Sequence, residues 1–149
     1  MRVRTITAIA VAFLAGTTFA LAGATKDDAM AMVKKTVAVI KADGAQKAYA
    51  EIDKGGQFVN GGIYAVVQGF DGTTLAHATN SKLVGKNMSE VQDVDGKYFA
   101  KDMGNLGRKN ASFWYTFKFV NPATKKIQPK DMYCQSLDQT IVCAGLYRS

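Results

Sequence analysis

The sequence predicts an α+β fold in which helices lead into an antiparallel sheet, and three observations carry that reading. Met30, Val33, Val37 and Ile40 recur at helical spacing near the start of the chain. Residues 62–87 open with two extended runs, Ile63 to Gly69 and Thr73 to His77, joined by Phe70-Asp71-Gly72, which is the Asp-Gly signal of a hairpin. Residues 112–120 (SFWYTFKFV) are almost wholly aromatic and β-branched, the strongest strand signal in the chain.

With 149 residues, 48% of them hydrophobic and 21% charged, the chain can bury one core, and two domains would be crowded. Residues 1–22 read as a secretory signal peptide: Arg2 and Arg4, an apolar run from Ile6 to Leu14, then small residues at Ala20-Leu21-Ala22, with cleavage after Ala22 or as late as Ala24. The alternative is an uncleaved anchor, because Ile6 to Ala24 approaches the roughly 20 residues that a spanning helix needs. Both readings put the domain at 25–149 outside the cytoplasmic membrane, periplasmic or secreted, with no membrane span after signal cleavage.

Thr25 caps the first helix, with Asp27 and Asp28 favourable in its first turn, and Asp43-Gly44 interrupts it. A shorter helix over 45–54 buries Ala48 and Ile52 and stops at Gly55-Gly56. After the hairpin, a polar loop punctuated by Asn80, Ser81, Gly85 and Asn87 leaves the sheet, and such a loop can wall a pocket. A short helix over 97–105, with Phe99 and Met103 four apart, is expected to close on Gly104 or Gly107. The aromatic strand then places Phe113, Tyr115, Phe117 and Phe119 on one face and Trp114, Thr116 and Lys118 on the other. Residues 121–126 turn it into a strand over 127–135, and a last hairpin joins Met132-Tyr133-Cys134 to 141–147.

Several function classes are disfavoured. The net charge of +7 falls to +5 without Arg2 and Arg4, because 17 basic residues then face 12 acidic ones. The lysines are spread out and form no basic stripe, so no nucleic-acid partner is expected. Residues 91–96 (VQDVDG) resemble a calcium loop only faintly, since glycine falls at the fourth position and Gly104 occupies the twelfth, where a glutamate is needed. His77 is the single histidine, and no serine stands in a Gly-x-Ser-x-Gly context. No phosphate loop or dinucleotide fingerprint is present, so neither catalysis nor a cofactor is expected. Cys134 and Cys143, the only cysteines, read as a disulfide across the terminal hairpin of an exported protein.

The residues that decorate this order of elements form a series: Phe58-Val59-Asn60-Gly61-Gly62-Ile63-Tyr64, Asp71-Gly72-Thr73-Thr74-Leu75-Ala76-His77 and Leu83-Val84-Gly85-Lys86-Asn87. It continues with Asp95-Gly96, Trp114, Asn121-Pro122, Pro129-Lys130, Tyr133 and Gly145-Leu146-Tyr147. This series, spread over nearly the whole mature chain, resembles the Cache family, specifically the single-Cache type 2 extracytoplasmic sensor domains. The resemblance implies a PAS-like antiparallel sheet with a long N-terminal helix, and a loop-helix segment covering a pocket for a small organic ligand. Short carboxylates such as acetate, propionate or pyruvate are typical of that family. Ending at Ser149, the chain reads as a free-standing form without the membrane helices and output module of chemoreceptors and histidine kinases.

A carboxylate needs a cation or convergent donors in a mostly apolar cavity. Lys130 is the candidate cation, because a lysine in a strand context is costly to bury without a purpose; the alternative is a surface lysine whose stem snorkels along the sheet. Tyr64, Tyr115 and Tyr133 offer hydroxyls, although core packing explains any one of them as well. Trp114 either floors the pocket or covers the sheet against the first helix, and the pocket is preferred. His77 stands at the loop entrance, as an anion donor or as a loop-fixing hydrogen-bonding group. The leading reading is a small-molecule-binding sensor domain. The second is an accessory interaction module that docks on a membrane receptor, a sensor kinase or another periplasmic protein.

Overall fold

The computed structural model describes residues 23–149; the signal segment expected at 1–22 lies outside the described residues. Helices α1 (Lys26–Asp43) and α2 (Ala45–Asp53) come first, then strands β1 (Val59–Asn60), β2 (Ile63–Gly69) and β3 (Thr74–His77). Helix α3 (Phe99–Lys109) precedes β4 (Ser112–Val120), β5 (Ile127–Leu137) and β6 (Thr140–Tyr147). Among the described residues the strands form one antiparallel sheet in the order β1-β2-β6-β5-β4, with β3 also paired to β2. The fold is α+β and PAS-like, as the sequence implied.

Each helix is bounded by local chemistry. Thr25 and Asp28 form a capping box, in which the Asp28 N–H donates to Thr25 Oγ1 and the Thr25 N–H to the Asp28 carboxylate. Gly44, at φ +86°, separates α1 from α2 in a conformation that costs any other residue more. The buried stripe of α1 is Ala29, Met32, Val33, Thr36, Val37 and Ile40. This corrects the expected stripe at its first position: Met30 is 41% exposed. Hydropathy favours the larger Met30, but helical phase decides: Ala29 stands four residues before Val33 and eight before Val37, so it takes the inward place and Met32 flanks it. Thr36 is fully buried, and its hydroxyl donates back to the Met32 carbonyl at 2.7 Å.

The sheet has a helical cover on each face, and strand alternation divides its side chains between two cores. Ile63, Ala65 and Val67 of β2, with Val142 and Ala144 of β6, pack on the side of α1 and α2. Phe117, Met132 and Ile141 pack with Phe99 and Met103 of α3 on the other. Cys134 and Cys143 are direct cross-strand partners in the β5–β6 register and form a disulfide, with Cα atoms 4.1 Å apart, on the α3 side.

Helix α3 does not close at Gly104 or Gly107 but runs through both to Lys109. The glycines are there for close approach. A Cβ on Gly104 would overlap the carbonyl oxygen of Phe70, and one on Gly107 would overlap Ile141 and meet the Phe70 ring. Two Cβ-free positions three apart let the helix sit directly on the sheet and carry Phe99 and Met103 inward.

Gly104→Ala tests this. An exposed helical glycine gains about 0.5–1 kcal/mol on changing to alanine, whereas overpacking costs about 1–3 kcal/mol. Urea unfolding should show a net loss of stability; a gain would mean that α3 has slack above the sheet.

Candidate functional site

Beneath α3 and the 81–88 loop, the sheet leaves a cavity of about 50 Å³, lined on its apolar side chiefly by Val66, Phe99, Met103, Phe117 and Met132. It adjoins a wider vestibule of about 330 Å³, which shares Tyr64, His77, Leu83 and Phe119 with it and has Lys125 at its rim.

Lys130 enters from β5 and is 2% exposed. Its register partner on β6 is Tyr147, and Gly145 nearby makes room for its stem, since a Cβ there would stand 3.0 Å from Lys130 Cε. The ammonium donates to Tyr64 Oη at 2.9 Å and lies 4.0 Å from the Tyr64 ring centroid and 5.0 Å from that of Tyr147. Tyr64 Oη is 3.1 Å from Tyr147 Oη, which donates to the Val120 carbonyl at 2.9 Å. Donor direction is therefore settled along the series: Lys130 to Tyr64, Tyr64 to Tyr147, Tyr147 to backbone.

The adjacent carboxylate does not neutralise this lysine. Strand alternation turns Asp131 to the opposite face, where it accepts from Thr116 Oγ1 at 2.6 Å and pairs with Arg148 at 3.2 Å. Among the described residues no carboxylate lies within 4 Å of Lys130 Nζ. Burial pushes the Lys130 pKa down, against the opposing pull of Tyr64. For Tyr64, burial acts upward, but the ammonium and its hydrogen bond outweigh it and hold the phenol below its ordinary value. Burial raises Tyr147.

His77, from the end of β3, is 6% exposed and its ring is 5.3 Å from that of Tyr64. Its Nδ1 accepts the backbone N–H groups of Asn80 at 3.1 Å and Thr79 at 3.4 Å. An accepting Nδ1 means that the neutral ring carries its proton on Nε2, as a donor. Burial, and secondarily the Lys130 charge, lower its pKa to about 4. The loop-fixing role is the one seen, through Nδ1, and Nε2–H is left as a donor without a protein acceptor among the described residues.

The structure brings Tyr64, His77 and Lys130 together and leaves the other three candidates apart from them. Trp114 lies on the opposite face of the sheet, 36% exposed, 5.3 Å from the Tyr133 ring and with the Lys26 ammonium 5.0 Å from its own. Strand alternation imposes this: Trp114 and Tyr133 are register partners on the α1 side. Tyr115 does share the cavity's face, but its hydroxyl donates to Asp102 of α3 at 2.6 Å and so ties helix to sheet. Burial and that bond raise its pKa. Tyr147, Gln68 and Thr74 were missed. Gln68 shares the parity of Tyr64 along β2, which is a usable signal, whereas Tyr147 needs the β5–β6 register.

The 91–97 loop is fastened by Asp93, whose carboxylate accepts the N–H groups of Asp95, Lys97 and Lys118. No cluster of three metal-ligating side chains occurs among the described residues.

Comparison with known proteins adds a family to this geometry. The model of the family described as Single Cache domain 2 matches residues 22–147. The chain belongs to this family. Solved structures with the same fold include a methyl-accepting chemotaxis protein from Vibrio parahaemolyticus RIMD 2210633 (TM-score 0.72, 20% identity, 82% of this chain and 87% of that one). Another is a Cache chemosensory domain described for carboxylic acid recognition (TM-score 0.66, 21% identity, 83% and 88%). A third is the periplasmic sensor domain of a chemotaxis protein (TM-score 0.66, 19% identity, 83% and 90%). No individually curated protein matches. The sheet carries the cavity on one face and the long helix on the other. No helix among the described residues is long and apolar enough to cross a membrane.

The His77 environment makes a pH prediction. With a folded pKa of about 4 and an ordinary value of 6.5, the unfolded chain binds a proton between those pH values that the folded chain does not. This contribution to stability is intact above about pH 6.5 and is lost as pH falls toward 4, by about 3 kcal/mol at most. Thermal unfolding between pH 7 and 4 should show a shallower decline for His77→Gln than for the wild type; parallel curves would contradict the assignment.

Proposed function

We propose that this chain is a periplasmic sensor domain that holds a small organic anion, a short carboxylate, without transforming it. The observation that carries the reading is Lys130: an ammonium sealed from water, facing an apolar cavity, with one of its three N–H groups used by Tyr64 and no carboxylate beside it. A carboxylate would supply the missing charge, and the Nε2–H of His77 a further donor. The family is one of ligand sensors, and a Cache domain with the same fold is described for carboxylic acid recognition. That protein is only 21% identical, so its ligand class comes to this chain as support for the proposal.

Binding without turnover is the better reading of the polar groups. The basic nitrogen of His77 is occupied by two backbone donors, so the ring donates a hydrogen bond and has no lone pair free to take a proton. Export by the leader at 1–22 would put the domain in the periplasm. A membrane receptor or sensor kinase would then read its occupancy.

The test is a thermal-shift and calorimetric screen of the purified 25–149 domain, disulfide intact, against acetate, propionate, pyruvate, amino acids and amines. Short carboxylates should raise the melting temperature, as any ligand specific to the native state does. Lys130→Met should weaken their binding about 10- to 100-fold, the range for a hydrogen bond to a charged group. It should leave the fold as stable or more so, because burying an apolar side chain avoids the cost of desolvating an ammonium. Unchanged affinity in Lys130→Met would remove Lys130 from the site.

A further inference from the structure

The end of the cavity away from Lys130 carries two oxygens that the protein leaves unused. Gln68, on β2, is 7% exposed, and its Nε2 donates to the Ala100 carbonyl of α3 at 2.8 Å. A carbonyl can only accept, so this bond fixes the amide orientation and leaves Oε1 as the remaining acceptor. Thr74, the register partner of Gln68 on β3, is 5% exposed. Both residues line the cavity, and neither Gln68 Oε1 nor Thr74 Oγ1 takes a hydrogen bond from another described residue. No side-chain oxygen or nitrogen among the described residues is sealed away without a partner, so these two oxygens meet the open space of the cavity.

Their position along the sheet makes this a separate end. Tyr64 and Gln68 are four residues apart on one strand face, about 13 Å from Cα to Cα. The ammonium at Tyr64 therefore marks one end and the two acceptors at Gln68 the other, with Val66 between them on β2 and the ring of His77, the register partner of Val66, 5.3 Å from that of Tyr64. Two acceptors set in an apolar wall and open to the cavity offer a place for a hydrogen-bond donor from the ligand. An ammonium fits poorly: the cavity has no carboxylate in its lining, and Lys130 would repel a second cation. A hydroxyl supplies the donor without the charge.

We propose that Gln68 and Thr74 form a hydroxyl subsite, so that the ligand is a short hydroxycarboxylic acid whose hydroxyl lies at the end remote from its carboxylate. This rests on the carboxylate reading of Lys130 and narrows it. The hydroxyl donates to Gln68 Oε1, and Thr74 Oγ1 either shares that donor or returns its own.

Calorimetry on the 25–149 domain with two matched pairs decides it: 3-hydroxypropionate against propionate, and 4-hydroxybutyrate against butyrate. At least one hydroxy acid should bind about five- to tenfold more tightly than its parent, as one added neutral hydrogen bond allows. Gln68→Met, which keeps the volume and removes the acceptor, should bring that ratio to within about twofold; the ratio is read within the variant, so loss of the Ala100 bond acts on parent and hydroxy acid alike. Thr74→Val serves the same purpose if circular dichroism shows that Gln68→Met no longer folds. Parent acids binding as tightly as their hydroxy forms, or a preference that survives both substitutions, would overturn the subsite and leave the carboxylate reading standing. Absence of binding by all four acids would overturn both.

Discussion

An ammonium held out of water without a counterion is the constraint from which the rest of the structure follows. Desolvating such a charge costs several kcal/mol even after relaxation, and an aromatic face and one phenol return only part of that. The chain nevertheless builds for it. Tyr64 and Tyr147 turn their faces and hydroxyls toward Lys130, the Val120 carbonyl closes the series of donors, and Gly145 clears space for the lysine stem. Meanwhile the one acid adjacent in sequence is turned through the sheet to Arg148. The proposed anion would supply the charge that the protein leaves out.

Keeping the cavity small is the work of the α3 side. Gly104 and Gly107 let that helix lie against Phe70 and Ile141, and the Tyr115–Asp102 hydrogen bond ties it to β4. The Gln68 amide fastens the start of the same helix through the Ala100 carbonyl. The disulfide between Cys134 and Cys143 lies below, with Cys134 Sγ 4.0 Å from Met103 Sδ, so the roof of the cavity stands on the cross-linked hairpin. Low dielectric follows from this packing, and it strengthens every charge interaction inside.

Local signals carried most of the fold. The Thr25 cap, the Asp-Gly turn and the aromatic run at 112–120 each rest on neighbours a few residues apart, so their elements were legible in the sequence. The ordered motif series, from Phe58 to Tyr147, made the family legible as well. What failed depended on distance between elements. Met30 reads as core because hydropathy alone does not fix which side of the helix meets the sheet, and α3 reads as shorter than it is because a glycine needed for packing looks the same as one that ends a helix. In the site, alternation told which residues of one strand share a face, yet not which face meets the cavity. Lys130, His77 and Tyr64 converge because three strand registers align, whereas Trp114 and Tyr133 fall on the α1 side for the same reason. Tyr147, Gln68 and Thr74 matter only through partners that the sequence does not name.

The most direct measurement is a crystal structure of the domain grown with a saturating short carboxylate identified by the screen. An anion site at Lys130 requires density for the ligand in the inner cavity, with a carboxylate oxygen about 3 Å from Lys130 Nζ. A ligand bound elsewhere on the domain, with Lys130 still held only by Tyr64, would contradict the central claim.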